Sequence, residues 1–309
     1  MKSAVQYHFP IVKIEEKNKW LYNPILKKRF KNRPEERVRL KWVDYLLLEA
    51  GWNKSRIGFE TPIKLRQKKH SVRADLLLYT SQLKPFILIE CKAESVSIQK
   101  NAAEQAARYN TEVGADYIVL SNGVDDFSFR TELNRAVSDT LPIMNEYCDS
   151  EFRDINYWSD RGFCGVQKNL SDQNQISAIL KLFWSDAIES EIRYLAFENS
   201  YLPIPMEQYY RIFNIETGIK MAMSFVGTNS STTYMVSVLN RKGINDRILV
   251  IDLGKMMKGD YQLANIYTDR ASIEIDTGSS LKELLLNFKN ETAEKLSTEV
   301  MNFFSLLDI

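Results

Sequence analysis

The run Pro85-Phe86-Ile87-Leu88-Ile89 is apolar at every position, so a strand built from it has no face left for water. Such a strand belongs in the middle of a sheet with both sides covered. Its neighbours must then supply the pairing partners and the cover. Ile57 to Leu65 and Val72 to Tyr79 are short, rich in apolar or β-branched residues, and read as strands. Ahead of them, Pro34 suits the first position of a helix, where a missing N–H costs nothing. Val38, Trp42, Tyr45, Leu46 and Leu47 keep helical spacing up to a stop at Gly51. Beyond the apolar run, Ile98 to Val113 predicts a second helix, with Ala102, Ala106, Tyr109 and Val113 on one stripe and Gly114 as its C-cap. Tyr117 to Leu120 predicts a fourth strand, ended by the turn Ser121-Asn122-Gly123. The predicted order is helix, three antiparallel strands, helix, strand, an α/β arrangement.

A chain of 309 residues suggests about two domains, because single cores usually stop growing before that length. The texture changes near residue 145, which places one domain at 1–145 and a second, α+β in class and of unassigned role, at 146–309. In the second, Ser171 to Asn199 reads as one long helix, with Ile176, Ile179, Leu180, Phe183, Ile188, Ile192 and Leu195 apolar. Residues 209 to 277 look strand-rich, as in Tyr234 to Leu239 and Ile248 to Leu253, and helical patterns close the chain around Leu281–Phe288 and Ala293–Leu307.

No apolar run approaches the ~20 residues needed to cross a bilayer, and the first residues lack the apolar core of a signal peptide. Three scattered cysteines, Cys91, Cys148 and Cys164, form neither a disulfide framework nor a CxxC pair, which fits a reducing cytoplasm. The net charge of +1 conceals an asymmetry: residues 1–100 hold 22 Lys and Arg against 10 Asp and Glu, and the remainder hold 19 against 30. A basic half beside an acidic half points the first half toward a polyanion, although two solvated surfaces of opposite sign have the same composition.

The buried strand ends in Glu90-Cys91-Lys92, and alternation turns Glu90 and Lys92 to one side and Cys91 to the other. A Glu-x-Lys is weak by itself, since a local ion pair at a strand end produces the same pattern and Glu15-Glu16-Lys17 supplies another instance. Asp75 sharpens it. A hairpin centred on Ser81-Gln82-Leu83-Lys84 sets Asp75 directly opposite Glu90, with Cβ atoms ~4.5–5.5 Å apart. Two carboxylates so placed repel each other and call for a counter-charge, which a divalent cation supplies. Lys92 would stand beside it, able to orient or deprotonate a water and to offset charge on a phosphate.

Four pieces follow one another in order: Glu36 in Arg33-Pro34-Glu35-Glu36-Arg37-Val38-Arg39, then Arg73-Ala74-Asp75, Ile89-Glu90-Cys91-Lys92, and Glu104-Gln105-Ala106-Ala107-Arg108-Tyr109-Asn110. This series, over about residues 30–125, resembles the N-terminal nuclease domain of type I restriction enzyme R subunits, a branch of the PD-(D/E)xK nuclease superfamily. The resemblance implies a restriction-endonuclease-like core and a metal-dependent hydrolase, an endonuclease of restriction or defence that cuts DNA to leave a 5′-phosphate. By it, Asp75 and Glu90 bind Mg²⁺, with Mn²⁺ as a substitute, Lys92 is the catalytic lysine, and Glu36 is an accessory acid near the metal. Gln105 and Tyr109 match a Gln-x-x-x-Tyr element that positions DNA, and i, i+4 spacing puts both on one helix face. DNA is the implied partner, with other restriction-modification subunits beside it and no membrane.

Each accessory residue also has a plainer role. Glu36 lies in the first turn of a helix, where acids are favoured anyway, and Gln105 and Tyr109 fit an exposed position and a core position. The cluster Lys64, Arg66, Lys68, Lys69, His70 and Arg73 surrounds a predicted hairpin, where it either contacts phosphates or keeps an edge soluble. The run Lys27-Lys28-Arg29-Phe30-Lys31 is similar. No Gly-x-x-x-x-Gly-Lys-[Ser/Thr] loop accompanies these pieces, so the ATP-driven translocase of the resembled subunits is not expected here. Two histidines and dispersed cysteines speak against a zinc site. The alternative from another class is a non-catalytic nucleic-acid-binding or regulatory protein that keeps the nuclease fold.

Overall fold

The structure is a computed structural model. It describes all residues except 16–17, 65–71, 133–134, 139–151, 166–168, 199–201, 203, 229–230, 261–263, 288–291 and 306–309. The chain forms two compact units, Met1–Phe152 and Arg153–Ile309.

The first unit opens with an antiparallel sheet of β1 (Ile11–Glu15), β2 (Asn18–Asn23) and β3 (Lys28–Lys31), which is absent from the predicted order. Next comes α1 (Pro34–Leu48), with proline in its first turn as expected. β4 (Ile57–Ile63), β5 (Val72–Tyr79) and β6 (Pro85–Cys91) pair antiparallel in chain order. Then α2 (Lys100–Val113) carries the chain across to β7 (Tyr117–Ser121), which lies parallel to β6. A parallel neighbour needs such a crossover, and a helix is the usual one. The helix, three antiparallel strands, helix, strand order is therefore as predicted, and it is compatible with a restriction-endonuclease-like core. β8 (Asp126–Glu132) and β9 (Arg135–Ser138) extend this sheet to β4-β5-β6-β7-β8-β9.

β6 is central, and its two faces are shared between the helices. Leu76, Leu78, Ile87, Ile89 and Cys91 are buried with Val38, Trp42 and Leu46 of α1. Leu77 and Leu88, of the opposite parity, are buried with Tyr109 of α2. The three-stranded sheet adds Val12 and Leu21 to the α1 core, so α1 is covered on more than one side and buries even Lys41 and Asp44. Gly114 ends α2 in the left-handed region at φ 69°, where a side chain would be strained.

The second unit holds α3 (Ile155–Asp160) and α4 (Leu170–Phe183), then a seven-stranded antiparallel meander. Its strands are β10 (Glu191–Ala196), β11 (Glu207–Glu216), β12 (Ile219–Gly227), β13 (Thr233–Arg241), β14 (Ile244–Asp252), β15 (Ala264–Tyr267) and β16 (Ser272–Ile275). A short helix α5 (Leu253–Met257) interrupts it, and α6 (Ser280–Leu286) and α7 (Thr292–Ser305) follow, near the predicted positions.

The single helix expected over 171–199 is corrected: α4 stops at Phe183, and Glu191–Ala196 is a strand. Positions 188 and 192, four apart, fit either period, whereas 195 fits the helical one alone. At and just past the helix end, Arg211 of β11, which is fully buried, donates to the carbonyls of Phe183, Ser185 and Ile188 and to the hydroxyl of Ser190. Terminal helix carbonyls need such partners, and this one arrives from 28 residues along the chain.

Among the described residues, no helix is long and apolar enough to cross a membrane.

Candidate active site

The β5–β6 hairpin has the register expected for a turn centred on Ser81–Lys84. Leu76 pairs with Ile89, Leu77 with Leu88 and Leu78 with Ile87. One step further in that register stand Asp75 and Glu90. The ladder is not continued there by the backbone of Asp75; its carboxylate Oδ2 instead accepts the N–H of Cys91 at 2.7 Å. On the other side, Phe59 pairs with Leu76 and Thr61 with Ala74, which sets Glu60 opposite Asp75. Three acids thus share one row across β4, β5 and β6. Glu60 holds a left-handed backbone, φ 48°, uncommon for a residue with a side chain and most often met at turns or functional sites.

Asp75 and Glu90 are buried, at 6% and 5% exposure. Alternation puts Glu90 on the α2 side of the sheet, with Leu88, whereas the alternation breaks beside Asp75, since Ala74 and Leu77 both pack on that side. Lys92 donates to Glu90 Oε1 at 3.0 Å, and so does Gln105 from α2, at 3.2 Å. Gln105 also donates to the Tyr109 hydroxyl at 3.0 Å. Lys92, Glu90, Gln105 and Tyr109 therefore form one hydrogen-bonded chain from strand end to helix. From α1, Arg39 reaches Asp75 Oδ1 at 2.7 Å, Glu36 at 3.1 Å and Glu60 at 3.4 Å.

The electrostatics follow from burial. Loss of water raises the Asp75 carboxyl above the usual range, opposed by Arg39 and the Cys91 N–H. Burial raises Glu90 as well, and the Asp75 charge pushes it the same way while Lys92 opposes. Burial pushes Glu36 up to about 7 in spite of Arg39. Burial works against the charge on Lys92, but Glu90 and Asp75 outweigh it and hold the ammonium above the usual lysine range.

Of the residues singled out from the sequence, Glu90, Lys92, Gln105 and Tyr109 meet in direct hydrogen bonds, Asp75 is tied to the neighbouring strand through the Cys91 N–H, and Glu36 is linked to Asp75 through Arg39. Arg73 is not drawn in. Its side chain is 65% exposed, and its contact is with Glu60 at 3.5 Å. Lys68 and Lys69 lie outside the described residues. Sequence reasoning missed Arg39 and Glu60. Arg39 could have been found, since it stands three residues after Glu36 on a predicted helix. Glu60 could not, because nothing local marks it.

A hard divalent cation fits this donor set. The side chains offered are carboxylates, and Glu36 Oε1 is buried without a hydrogen-bond partner. Among the described residues no group of three or more His, Cys, Asp and Glu is gathered to hold a metal. What Asp75 and Glu90 can hold is an ion that takes one or two carboxylates and completes its shell with water and phosphate oxygens, the habit of Mg²⁺.

Residues 34–142 match the family model described as type I restriction enzyme R protein N terminus (HSDR_N). That span runs from the first residue of α1 past the end of β9, so it contains every contact of the cluster described above. No curated protein and no solved structure matches the chain.

Proposed function

We propose that the first unit is a divalent-metal-dependent DNA endonuclease whose active centre is Asp75, Glu90 and Lys92. The observation that carries this reading is the convergence of two buried carboxylates on neighbouring strands with a lysine directly after the second of these strands. Isolated carboxylates avoid such places, and pairs that accept the repulsion are a mark of sites built for a cation. The family match over residues 34–142 points the same way.

Asp75 and Glu90 would hold Mg²⁺, or Mn²⁺ in its stead, with Glu36 near by. Bound there, the ion supplies charge against the scissile phosphate and a more acidic water. The chain's own groups do the rest. Lys92, kept protonated by the acids around it, donates to a phosphate oxygen and offsets charge as it builds up. Water adds to phosphorus and the bond to the 3′-oxygen breaks in line, leaving a 5′-phosphate, while the water's proton passes to solvent and the departing oxygen takes up another. Gln105 and Tyr109 fix the rotamer of Glu90 and, on the α2 face beside it, contact the strand being cut.

One observation favours a second reading, a non-catalytic nucleic-acid binder. Both Asp75 oxygens already have partners, Arg39 and the Cys91 N–H. Asp75→Asn separates the two readings, because the amide oxygen still accepts from Cys91 while the charge is lost. For the nuclease, Asp75→Asn and Lys92→Ala each abolish cleavage of plasmid or oligonucleotide DNA in Mg²⁺. The thermal stabilisation that Mg²⁺ confers on the wild type also disappears in Asp75→Asn, since such stabilisation follows site occupancy. A wild type that cuts no DNA in Mg²⁺ or Mn²⁺ and gains no stability from either ion establishes the binder instead.

A further inference from the structure

The three-stranded sheet ahead of the matched segment carries two aromatic rings set among cations. Its register places Val12, Leu21 and Phe30 in one row, with Ile11, Tyr22 and Arg29 on one side and Lys13, Trp20 and Lys31 on the other. The middle row faces the core: Val12 and Leu21 are buried there and Phe30 packs against them. Alternation turns both flanking rows to the opposite face. On that face Trp20 and Tyr22 are half-buried, and Lys13, Arg29 and Lys31 are exposed. Arg29 lies 5.9 Å from the Trp20 ring centroid and Lys13 6.0 Å from that of Tyr22, and Arg29 is also paired with Glu15.

This face is continuous with the carboxylate cluster. One cavity lies over Lys13, Tyr22 and Lys28, and a second, of about 760 Å³, runs past Lys31 and Arg33 to Glu36, Arg39 and Glu60. The two share Trp20 and Arg29 as a common wall. Covering α1 needs only the middle row, and keeping a small sheet soluble needs only the cations. Neither accounts for a tryptophan and a tyrosine on the outer face.

We propose that this face binds an unpaired DNA strand and leads it to the cluster. Aromatic side chains take up nucleic acid by stacking on the flat face of a base, and a base in a duplex has both faces covered by its neighbours. The cations between the rings suit the phosphates of the same strand. The proposal rests on the nuclease reading and adds its substrate class: DNA with a single-stranded stretch, such as an overhang, flap or gap, ahead of blunt duplex.

The test uses the full chain in EDTA, where nothing is cut, with fluorescence anisotropy on a labelled single-stranded 20-mer and on the same sequence as a blunt duplex. The single strand binds more tightly. Trp20→Ala and Tyr22→Ala each weaken it about tenfold or more and weaken the duplex by less than about threefold, as the loss of one stacked base requires. Trp20→Phe, which keeps a ring, restores most of the loss. Where melting shows Trp20→Ala to be unfolded, Trp20→Leu fills the space without a stacking ring and carries the same expectation. Equal losses on both forms, no loss on either, or a wild type that prefers the duplex or binds neither form overturns the proposal. A wild type that binds single strands in this way yet cuts no DNA in Mg²⁺ or Mn²⁺ keeps the stacking face and overturns only the nuclease reading.

Discussion

Arg39 stands among three acids, within 2.7 Å of Asp75, 3.1 Å of Glu36 and 3.4 Å of Glu60, and it holds them together in the absence of metal. Arg39 is shared between two buried carboxylates and the half-buried Glu60, and Glu36 shows the shortfall in a pKa raised to about 7 by burial. A carboxyl whose folded pKa exceeds its unfolded value, here near 4.5, binds more protons folded than unfolded between those two pH values. Stability is then lost as pH rises through that window, and the full penalty is present above about 7. Glu36→Gln removes the ionisation. In EDTA it raises the stability of the protein at pH 8 by on the order of 1–3 kcal/mol, and the difference closes toward pH 4.5. Denaturant melts at several pH values check this, and a gap that widens on acidification contradicts it. Asp75 differs in kind, because its carboxylate also serves the Cys91 N–H; its removal leaves that donor buried without a partner. An alanine there costs stability on the order of 1–3 kcal/mol, against the small gain that relief of repulsion alone suggests.

Among the elements, β6 is legible from its residues alone, because a strand apolar at every position has few places to go, and α2 announces its end with a glycine that proves to be left-handed. The hairpin register is legible too, since the Ser81–Lys84 turn leaves few pairings that keep both apolar faces inward. The end of α4 is not, because its last carbonyl is taken up by Arg211, a buried residue of β11 far along the chain. Arg211→Met, similar in length but unable to donate, leaves the carbonyls of Phe183, Ser185 and Ile188 without their partner. It lowers stability by about 3 kcal/mol or more, comparable to breaking other buried charged networks. Chemical denaturation of the full chain measures this, and a change below about 1 kcal/mol shows that water or neighbouring groups replace the guanidinium. The β1–β3 sheet is equally hidden, since its strands are only four to six residues long and find their inward row against a helix that follows them in the chain.

The charge of the whole molecule is nearly balanced, but its first hundred residues are strongly basic, and they hold both the carboxylate cluster and the aromatic face. DNA binding by the full chain therefore falls steeply with salt. A protein with about six phosphate contacts loses on the order of a thousandfold in affinity between about 50 and about 200 mM monovalent salt. Titrations at four or five salt concentrations give the slope directly. An affinity that does not change across that range assigns the basic residues to something other than phosphate.

Local chemistry is enough to mark the helices and strands around β6, the lysine-bearing strand end and the candidate acids, because periodicity and turn residues act over a few positions. The hairpin register then sets Asp75 against Glu90. Which cation neutralises the acids is a different matter: Arg39 reaches Asp75 from α1, 36 residues earlier in the chain, and Glu60 enters through a left-handed backbone in β4 that no neighbouring residue signals. The stacking face likewise exists only once three short strands align Trp20 and Tyr22 with Lys13, Arg29 and Lys31. Contacts between residues far apart in the chain depend on the closing of the loops between them, and no short window of sequence contains the partners that decide them.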